Sequence, residues 1–180
     1  MDFSKLVKHR RSVRHFLAKP IEREKIMTCL EAARLAPSAC NSQPWKFIVV
    51  DDPKLKDRLC DAAFSGVHSF NSFCKEAPVI VVVISEKPKF ISRVGGLLRS
   101  TRYYLIDIGI ACEHFVLQAE DLGLGTCWIG WFNEKVIKSV LGISQTKKID
   151  VLLAVGYYDR ETLGKGHGRD PIEEISSFNV

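Results

Sequence analysis

The sequence predicts an α+β fold, and three observations support this class. Two apolar segments, 78–84 and 151–157, are typical of strands that are covered on both faces. Helical patterns occur around these strands, but only some strands are separated by one helix, which argues against a parallel βαβ sheet. The chain has 180 residues, of which 46% are hydrophobic and 26% charged. This composition suits one domain over 1–180 with its own core.

The first part of the chain predicts two helices and a strand. Apolar residues recur with helical spacing in the first nine residues, and this helix should end near His9. A second helix should open at Pro20, because proline and acidic residues are favoured in a first turn. Pro37 should stop it, since proline disfavours the helical conformation of the preceding residue. Residues 45–50 predict a strand.

A third helix should begin with Asp52 as its N-cap and run to about Ala63. Residues 65–75 are ambiguous. The segment 86–100 contains proline, two glycines and several basic residues, and we interpret it as a lid-like excursion.

The last part of the chain predicts two helices, a strand and a tail. A long helix, apolar over most of its surface, should run from about Arg99 to Leu122 and end at Gly123. We expect Asp107 and Glu113 on it to pair or to face solvent. A short helix over 133–141 should precede the strand at 151–157, and residues 160–180 form a polar, loop-rich tail. The expected order is α, α, β, α, β, α, α, β.

The composition argues against several classes of protein. No apolar run approaches the ~20 residues of a membrane helix, and the N-terminus lacks the apolar core of a signal peptide, so a cytoplasmic location is expected. The six cysteines show no metal-ligand spacing, so free buried thiols are expected rather than a metal site. The net charge of +5 could indicate nucleic acid. Because no nucleic-acid-binding motif accompanies it, local capture of a small anion fits better.

The basic residues near the N-terminus form the first candidate site. In an extended segment alternate side chains point the same way, so Arg10, Ser12 and Arg14 could converge on one ligand. Guanidinium groups suit phosphate, because they donate two parallel hydrogen bonds. The alternative is a solvated basic turn after a helix.

Three other segments could contribute to the same site. In the loop 36–45, Ser, Asn and Gln side chains can donate and accept hydrogen bonds at the edge of a heterocycle, although an ordinary helix-to-strand loop would look similar. The segment 126–132 combines glycine with two tryptophans, which could shield a flat ligand or simply fill the core. The segment 167–169 could close over a phosphate or belong to a flexible tail.

Taken together, these segments resemble the FMN-dependent nitroreductase family. The matching stretches are Arg10-Arg11-Ser12-Val13-Arg14, residues 36–45, 77–82 and 123–130, and the late Arg169. Each motif alone is weak, but their order and spacing span nearly the whole chain. The resemblance implies a mainly antiparallel sheet flanked by helices, in an interlocked homodimer with two FMN sites at the subunit interface.

The resemblance also implies which residues bind FMN. The arginine segment and the tail would hold the phosphate and the ring edge, the loop would reach the partner subunit's FMN, and residues 128–130 would lie against the ring. The expected FMN-binding residues are Arg10, Arg11, Ser12, Arg14, Pro37, Ser38, Ala39, Asn41, Gln43, Trp128, Ile129, Gly130, His167 and Arg169. Ala39 departs from the family, whose members often carry a second serine there.

The implied activity is reduction of nitroaromatics, quinones or similar electron-poor acceptors by NADH or NADPH, in a ping-pong mechanism. No catalytic side chain is expected, because the flavin carries the hydride chemistry. Three alternatives stay open: a non-catalytic FMN-binding or storage protein, a specialised family member with another acceptor, and a basic nucleic-acid module. No dinucleotide fingerprint distinguishes NADH from NADPH.

Overall fold

The computed structural model describes residues 1–86, 101–164, 166 and 168–179. Nearly all of the predicted lid, from residue 87 to residue 100, therefore lies outside the described residues. The strands are β1 (Trp45–Val50), β2 (Val79–Ser85), β3 (Gly125–Ile129) and β4 (Lys148–Gly156). The helices are α1 (Phe3–His9), α2 (Arg23–Arg34), α3 (Pro53–Ala63), α4 (Tyr103–Asp121), α5 (Glu134–Leu141) and α6 (Ile172–Ile175).

The four strands form one antiparallel sheet in the order β1-β2-β4-β3. Val82 pairs with Ile48 on one side and with Leu152 on the other, and Leu152 also pairs with Ile129. All but the last residue of β2 is buried, which confirms the prediction of a strand that is covered on both faces. The antiparallel sheet flanked by helices confirms the α+β fold class.

Helices cover both faces of the sheet. One face packs against α2 and α4, and Phe115 is fully buried in this layer. The other face packs against α3, α5 and the 3₁₀ helix Gly66–Glu76, which occupies the segment that the sequence left ambiguous. Helix α1 lies outside these layers, against α4. None of the helices in the described part of the chain combines the length and apolar character that a membrane crossing requires.

Local capping explains the helix ends that were predicted well. The Asp52 carboxylate accepts a hydrogen bond of 2.7 Å from the backbone N–H of Leu55, and Pro53 opens α3. The Asn133 side chain accepts one of 3.3 Å from the N–H of Val136 at the start of α5. Gly123 follows α4 with φ of 76°, in the left-handed region that glycine tolerates.

Three sequence predictions are wrong. Helix α2 begins at Arg23 rather than Pro20, with Glu22 as an extended N-cap residue. Helix α4 begins at Tyr103, because Thr101 and Arg102 are not helical. The expected order of elements also lacked β3, whose five residues pair with β4 between two glycine-rich turns. Glycines flank this strand, and its five residues are too few to show a clear alternation of apolar and polar side chains, so the sequence did not reveal it.

Candidate functional site

The arginine segment, residues 10–14, is fixed along the free edge of β3. Ser12 forms a parallel bridge with Thr126, and the backbone N–H of Val13 donates a 2.9 Å hydrogen bond to the Thr126 carbonyl oxygen. The side chain of Val13 is completely buried. Gly125 allows this close approach, because a Cβ atom there would lie 2.6 Å from Cγ2 of Val13. The polar neighbours of Val13 consequently face away from the core.

A cavity of about 660 Å³ separates the arginine segment from the C-terminal tail. This volume is within the usual range of small-molecule sites, roughly 300–1,000 Å³. The fold brings five of the predicted site residues to one cavity, and four of them are arginines. The lining residues are Val7, Lys8, Arg10, Arg11, Ser12, Arg14, Leu163, Gly164, Gly166 and Arg169. The cavity is therefore strongly cationic, as capture of a small anion requires.

Arg11 connects the end of α1 to the tail. Its Nη1 atom donates to the carbonyl oxygens of Lys8, at 2.7 Å, and Arg10, at 3.1 Å. These carbonyls lie at the C-terminal end of α1, where a cation is favourable. The guanidinium also lies against Gly166, since a Cβ atom there would be 3.0 Å from both Nε and Nη2. Glycine at 166 thus lets the tail approach the arginine segment.

The acidic side chain of Glu113 lies beside Arg10 of the cationic cavity. Oε1 of Glu113 on α4 lies 3.9 Å from Nε of Arg10. Burial raises the pKa of the Glu113 carboxyl, and the charges of Arg10 and His114 oppose that rise. Glu113 therefore pairs, as expected, and it partly balances the charge of Arg10. The pKa of the nearby Cys127 thiol is also raised by burial, against the opposing charges of Arg14 and Arg10.

The loop that holds the second group of predicted residues has an unusual backbone. Cys40, Asn41 and Gln43 have φ angles of 53°, 50° and 47°. Such angles are uncommon for residues other than glycine and occur where the surroundings hold the chain in place. The Gln43 N–H donates to Oγ of Ser38 at 3.0 Å, and its side-chain amide donates to Oδ1 of Asn41 at 2.9 Å. These contacts keep the loop 38–43 compact.

Asp107 anchors this loop to the long helix. The residue is only 4% exposed, and its Oδ1 accepts a 2.9 Å hydrogen bond from the backbone N–H of Ala39. A carboxylate buried in this way needs hydrogen-bond donors to offset its lost hydration. Asp107 was expected to pair or to face solvent, and the structure shows it buried and paired with a backbone N–H of the loop. The local sequence does not reveal the loop that packs against α4.

The remaining predicted residues that the structure describes do not line the cavity of this chain. Pro37, Ser38, Ala39, Asn41 and Gln43 belong to the loop, and Trp128, Ile129 and Gly130 lie at the far end of β3. Ile129 is buried, Trp128 is partly buried and Gly130 is exposed. His167 lies outside the described residues. Binding of FMN by any of these residues stays a prediction.

Sequence reasoning missed several residues that build the site. Lys8, Leu163, Gly164 and Gly166 line the cavity, and Asp107 holds the loop. The useful signal was present at Asp107, an acidic residue in a largely apolar helix whose partner the sequence alone could not identify. The tail glycines were visible, but their proximity to Arg11 depends on the whole fold.

Metal and thiol chemistry find little support among the described residues. No group of three or more His, Cys, Asp or Glu side chains is arranged there to hold a metal ion. All six cysteines are free, and five are buried, which confirms the expectation of buried thiols except at exposed Cys40. Burial raises the pKa of Cys29 and Cys112 to about 12 and that of Cys60 to about 11. These thiols are consequently poor nucleophiles.

The fold and the site define a class of α+β protein with a cationic cavity at the edge of an antiparallel sheet. The family model described as the nitroreductase family matches residues 7–72 and 67–157 of the chain. These matches cover well over half of its length. The chain therefore belongs to the nitroreductase family, which confirms the resemblance in its sequence.

Relatives that carry different enzyme names are similar to this chain over most of its length. NADH dehydrogenase from Thermus thermophilus is 29% identical over an alignment of 192 positions, which covers 92% of this chain and 90% of that protein. Iodotyrosine deiodinase from Thermotoga neapolitana is 28% identical over 174 residues, which cover 86% and 87% of the two chains. Among solved structures, an FMN-dependent nitroreductase from Clostridium difficile R20291 is 29% identical, covers 97% of this chain and 98% of its own, and gives a TM-score of 0.75.

Proposed function

We propose that this protein is an FMN-dependent oxidoreductase that uses NADH or NADPH to reduce electron-poor acceptors. The cavity lined by Arg10, Arg11, Arg14 and Arg169 is the observation that carries the proposal. A flavin mononucleotide differs from most small substrates in having a phosphate dianion at one end and a flat heterocycle at the other. Guanidinium groups recognise such a phosphate through paired, charge-assisted hydrogen bonds.

The residues present fit this cofactor. The cavity has room for a phosphate and a polyol chain, and it combines four arginines with the hydroxyl of Ser12. At Gly164 a Cβ atom would meet nothing within 4 Å, so this part of the tail leaves open space beside the arginines. The structure of the Clostridium difficile relative is described as an FMN-dependent nitroreductase, which supports the same cofactor here.

The residues of the chain would bind the cofactor, orient it and shield it from water. Arg10, Arg11, Arg14 and Arg169 would hold the phosphate, and Ser12 would contact the cofactor nearby. When bound, FMN would supply the redox chemistry for a ping-pong exchange between NADH or NADPH and the acceptor. For a quinone, the overall reaction consumes NAD(P)H and one proton and yields the hydroquinone and NAD(P)⁺. No catalytic side chain is required for this exchange.

The homodimer belongs to the same proposal. Several large apolar side chains are exposed, and a partner subunit that covered them would remove apolar surface from water. They include Phe3 on α1 and Ile106 on α4, which are 68% and 53% exposed, together with Ile172, Ile175 and Phe178 in the tail. A dimer that covers them would allow the loop 38–43 and residues 128–130 to complete the FMN site. The location of the protein in the cytoplasm and its organisation as one domain stay predictions.

The acceptor is proposed as a class. Nitroaromatics and quinones are the first candidates, and the relative named iodotyrosine deiodinase makes halogenated phenols a specific second candidate. A purified sample should show the absorbance bands of oxidised flavin and should oxidise NADH or NADPH when a nitroaromatic, a quinone or a halogenated phenol is supplied.

Two variants make the test specific. Arg169→Ala removes one cavity arginine, and loss of a charge-assisted hydrogen bond should weaken FMN binding about ten- to a hundredfold. Arg58→Ala removes an exposed arginine from α3, outside the cavity, and should leave FMN binding unchanged. A protein that binds no FMN would overturn the proposal. A protein that binds FMN tightly but is reduced by neither nucleotide would be the non-catalytic FMN-binding protein instead.

A further inference from the structure

A buried carboxylate lies behind the cavity, in the last turn of α4. The side chain of Glu120 is only 2% exposed. An acidic group at the C-terminal end of a helix is disfavoured by the helix dipole, and burial adds the cost of lost hydration. Local sequence therefore gives no reason for an acid here. Its charge must be balanced by groups that come from elsewhere in the chain.

Two residues that follow β4 balance this charge. Nη2 of Arg160 forms an ion pair with Oε1 of Glu120. The hydroxyl of Tyr158 lies 3.3 Å from each carboxylate oxygen and also accepts a 2.8 Å hydrogen bond from Nη2 of Arg160. Burial raises the pKa of the Tyr158 hydroxyl, so it stays protonated as a donor at neutral pH. Glu120, Tyr158 and Arg160, called here the Glu120 cluster, thus satisfy one another.

The Glu120 cluster contacts both walls of the cavity. On one side, Nη1 of Arg160 lies 3.5 Å from the carbonyl oxygen of His9, the residue before Arg10. On the other side, Arg160 opens the 3₁₀ turn Arg160–Thr162, which leads directly into Leu163 and Gly164 of the cavity lining.

The Tyr158 ring adds a third connection, to the arginine segment. A Cβ atom at Gly125 would lie 2.6 Å from both the Tyr158 ring and Val13, so these two side chains pack against the same glycine. Among the described residues, the lining of the cavity includes no member of the Glu120 cluster. The cluster can therefore act on a bound ligand only through the two walls.

We propose that the Glu120 cluster is a positioning device that sets the spacing between the arginine segment and the tail, and thereby the affinity for the phosphate end of FMN. This inference rests on the proposed FMN function. A phosphate held by arginines from two walls is bound well only when both walls stand at the right separation. The flavin ring would also be held by the loop 38–43 and by residues 128–130, which lie outside the Glu120 cluster.

Comparing FMN with riboflavin separates an effect on phosphate binding from a general loss of stability. Riboflavin carries the flavin ring and the ribityl chain but no phosphate. For Arg160→Ala we expect affinity for FMN to fall at least tenfold, as for loss of a buried charged interaction. Affinity for riboflavin should change by less than about threefold, within the effect of a small structural adjustment. Arg160→Lys keeps the charge without the two-pronged guanidinium, so it should restore only part of the preference for FMN.

Both dissociation constants would be measured by titrating the apoprotein with each flavin and following flavin fluorescence. Tyr158→Phe, which removes one hydroxyl and preserves the ring on Gly125, is the second variant if Arg160→Ala fails to fold. It should shift the ratio of the two dissociation constants in the same direction. Arg58→Ala is the matched control on the surface, and Arg169→Ala is the positive control inside the cavity.

The control variants distinguish the positioning role of the Glu120 cluster from the proposed FMN site itself. If Arg169→Ala reduces the preference for FMN over riboflavin but neither Arg160→Ala nor Tyr158→Phe does so, the positioning role is wrong and the FMN site stands. Equal losses for FMN and riboflavin in the cluster variants would also overturn it, because they would indicate a purely structural role. If the wild-type protein shows no preference that Arg169→Ala reduces, the proposed phosphate site itself is wrong.

Discussion

The backbone N–H of Ala39 donates a 2.9 Å hydrogen bond to Oδ1 of Asp107, which joins the loop 38–43 to the first half of α4. Three residues of this loop have left-handed backbone angles, which are costly unless the surroundings hold them. A single buried carboxylate therefore contributes to keeping a strained loop in one conformation, at the place where we propose contact with the partner's cofactor.

Replacing Asp107 should destabilise the protein through this loop. Asp107→Ala removes a buried, charge-assisted hydrogen bond, and we expect the free energy of unfolding to fall by about 1.5–3 kcal/mol. Asp107→Asn retains an oxygen that can accept the hydrogen bond from Ala39, so its free energy of unfolding should fall clearly less. Urea unfolding of the two variants measures the difference. Equal stability of Asp107→Ala and the wild type would show that the loop does not depend on this contact.

Gly125→Ala should disturb the packing behind the arginine segment. Its Cβ would lie 2.6 Å from Val13 and from the Tyr158 ring, so one or both must move. Overpacking of this kind costs about 1–3 kcal/mol. In a double-mutant cycle, Val13→Ala should cost less in the Gly125→Ala background than in the wild type, because it removes one of the two clashes. Additive effects would contradict the contact.

One cysteine should react far faster than the other five. Cys40 is exposed on the loop, whereas burial raises the pKa of Cys29 and Cys112 to about 12. A coloured thiol reagent should therefore titrate one thiol in the folded apoprotein and six in denaturant. If the loop contacts FMN as proposed, adding FMN should slow the reaction of Cys40. Rapid modification of several thiols in the folded protein would contradict the buried positions.

Acid should weaken the connection between α5 and β4. Burial raises the pKa of Glu134, but hydrogen bonds from Lys138, Lys148 and the backbone N–H of Ile149 outweigh it and lower the pKa from 4.5 to about 2. A carboxyl with a lower pKa in the folded state stabilises the fold above its unfolded pKa. This contribution should be lost as the pH falls from about 4.5 to about 2.

Glu134→Gln isolates that contribution. The variant should be less stable than the wild type at neutral pH, and the difference should shrink as the pH falls toward 2. Glu173→Gln, which changes an exposed acid on α6, serves as the control and should show no such dependence. Melting temperatures measured across this pH range test the idea. A difference that stays constant with pH would mean that Glu134 does not contribute through its charge.

The elements that sequence predicted well are those determined by nearby residues. Strand β1 and helix α3 follow from an apolar run and from the Asp52-Pro53 start signal, and both lie where the pattern predicts. The antiparallel sheet, by contrast, was expected from the resemblance rather than from spacing. Strand β3 was missed because its pairing with β4 is a long-range property that five residues between glycines do not reveal.

The candidate site was predictable only in part, for a similar reason. The arginines of residues 10–14 and Arg169 could be named, because guanidinium groups in a cluster suggest an anion. Glu120, Tyr158 and Arg160 could not, since each has an ordinary local context and acquires its partners only when α4 meets the chain after β4. Side chains that bind a ligand are visible in a sequence, whereas side chains that hold them in place are not.

The bridge between Ser12 and Thr126 also determines when the cavity can form. The arginine segment leaves the ribosome more than a hundred residues before the strand on which it docks, and Arg169 emerges later still. Contacts between such distant residues form late in folding. A growing chain therefore presents the arginines of residues 10–14 to solvent before the cavity exists, and a ligand held by both walls could bind only after Arg169 has emerged.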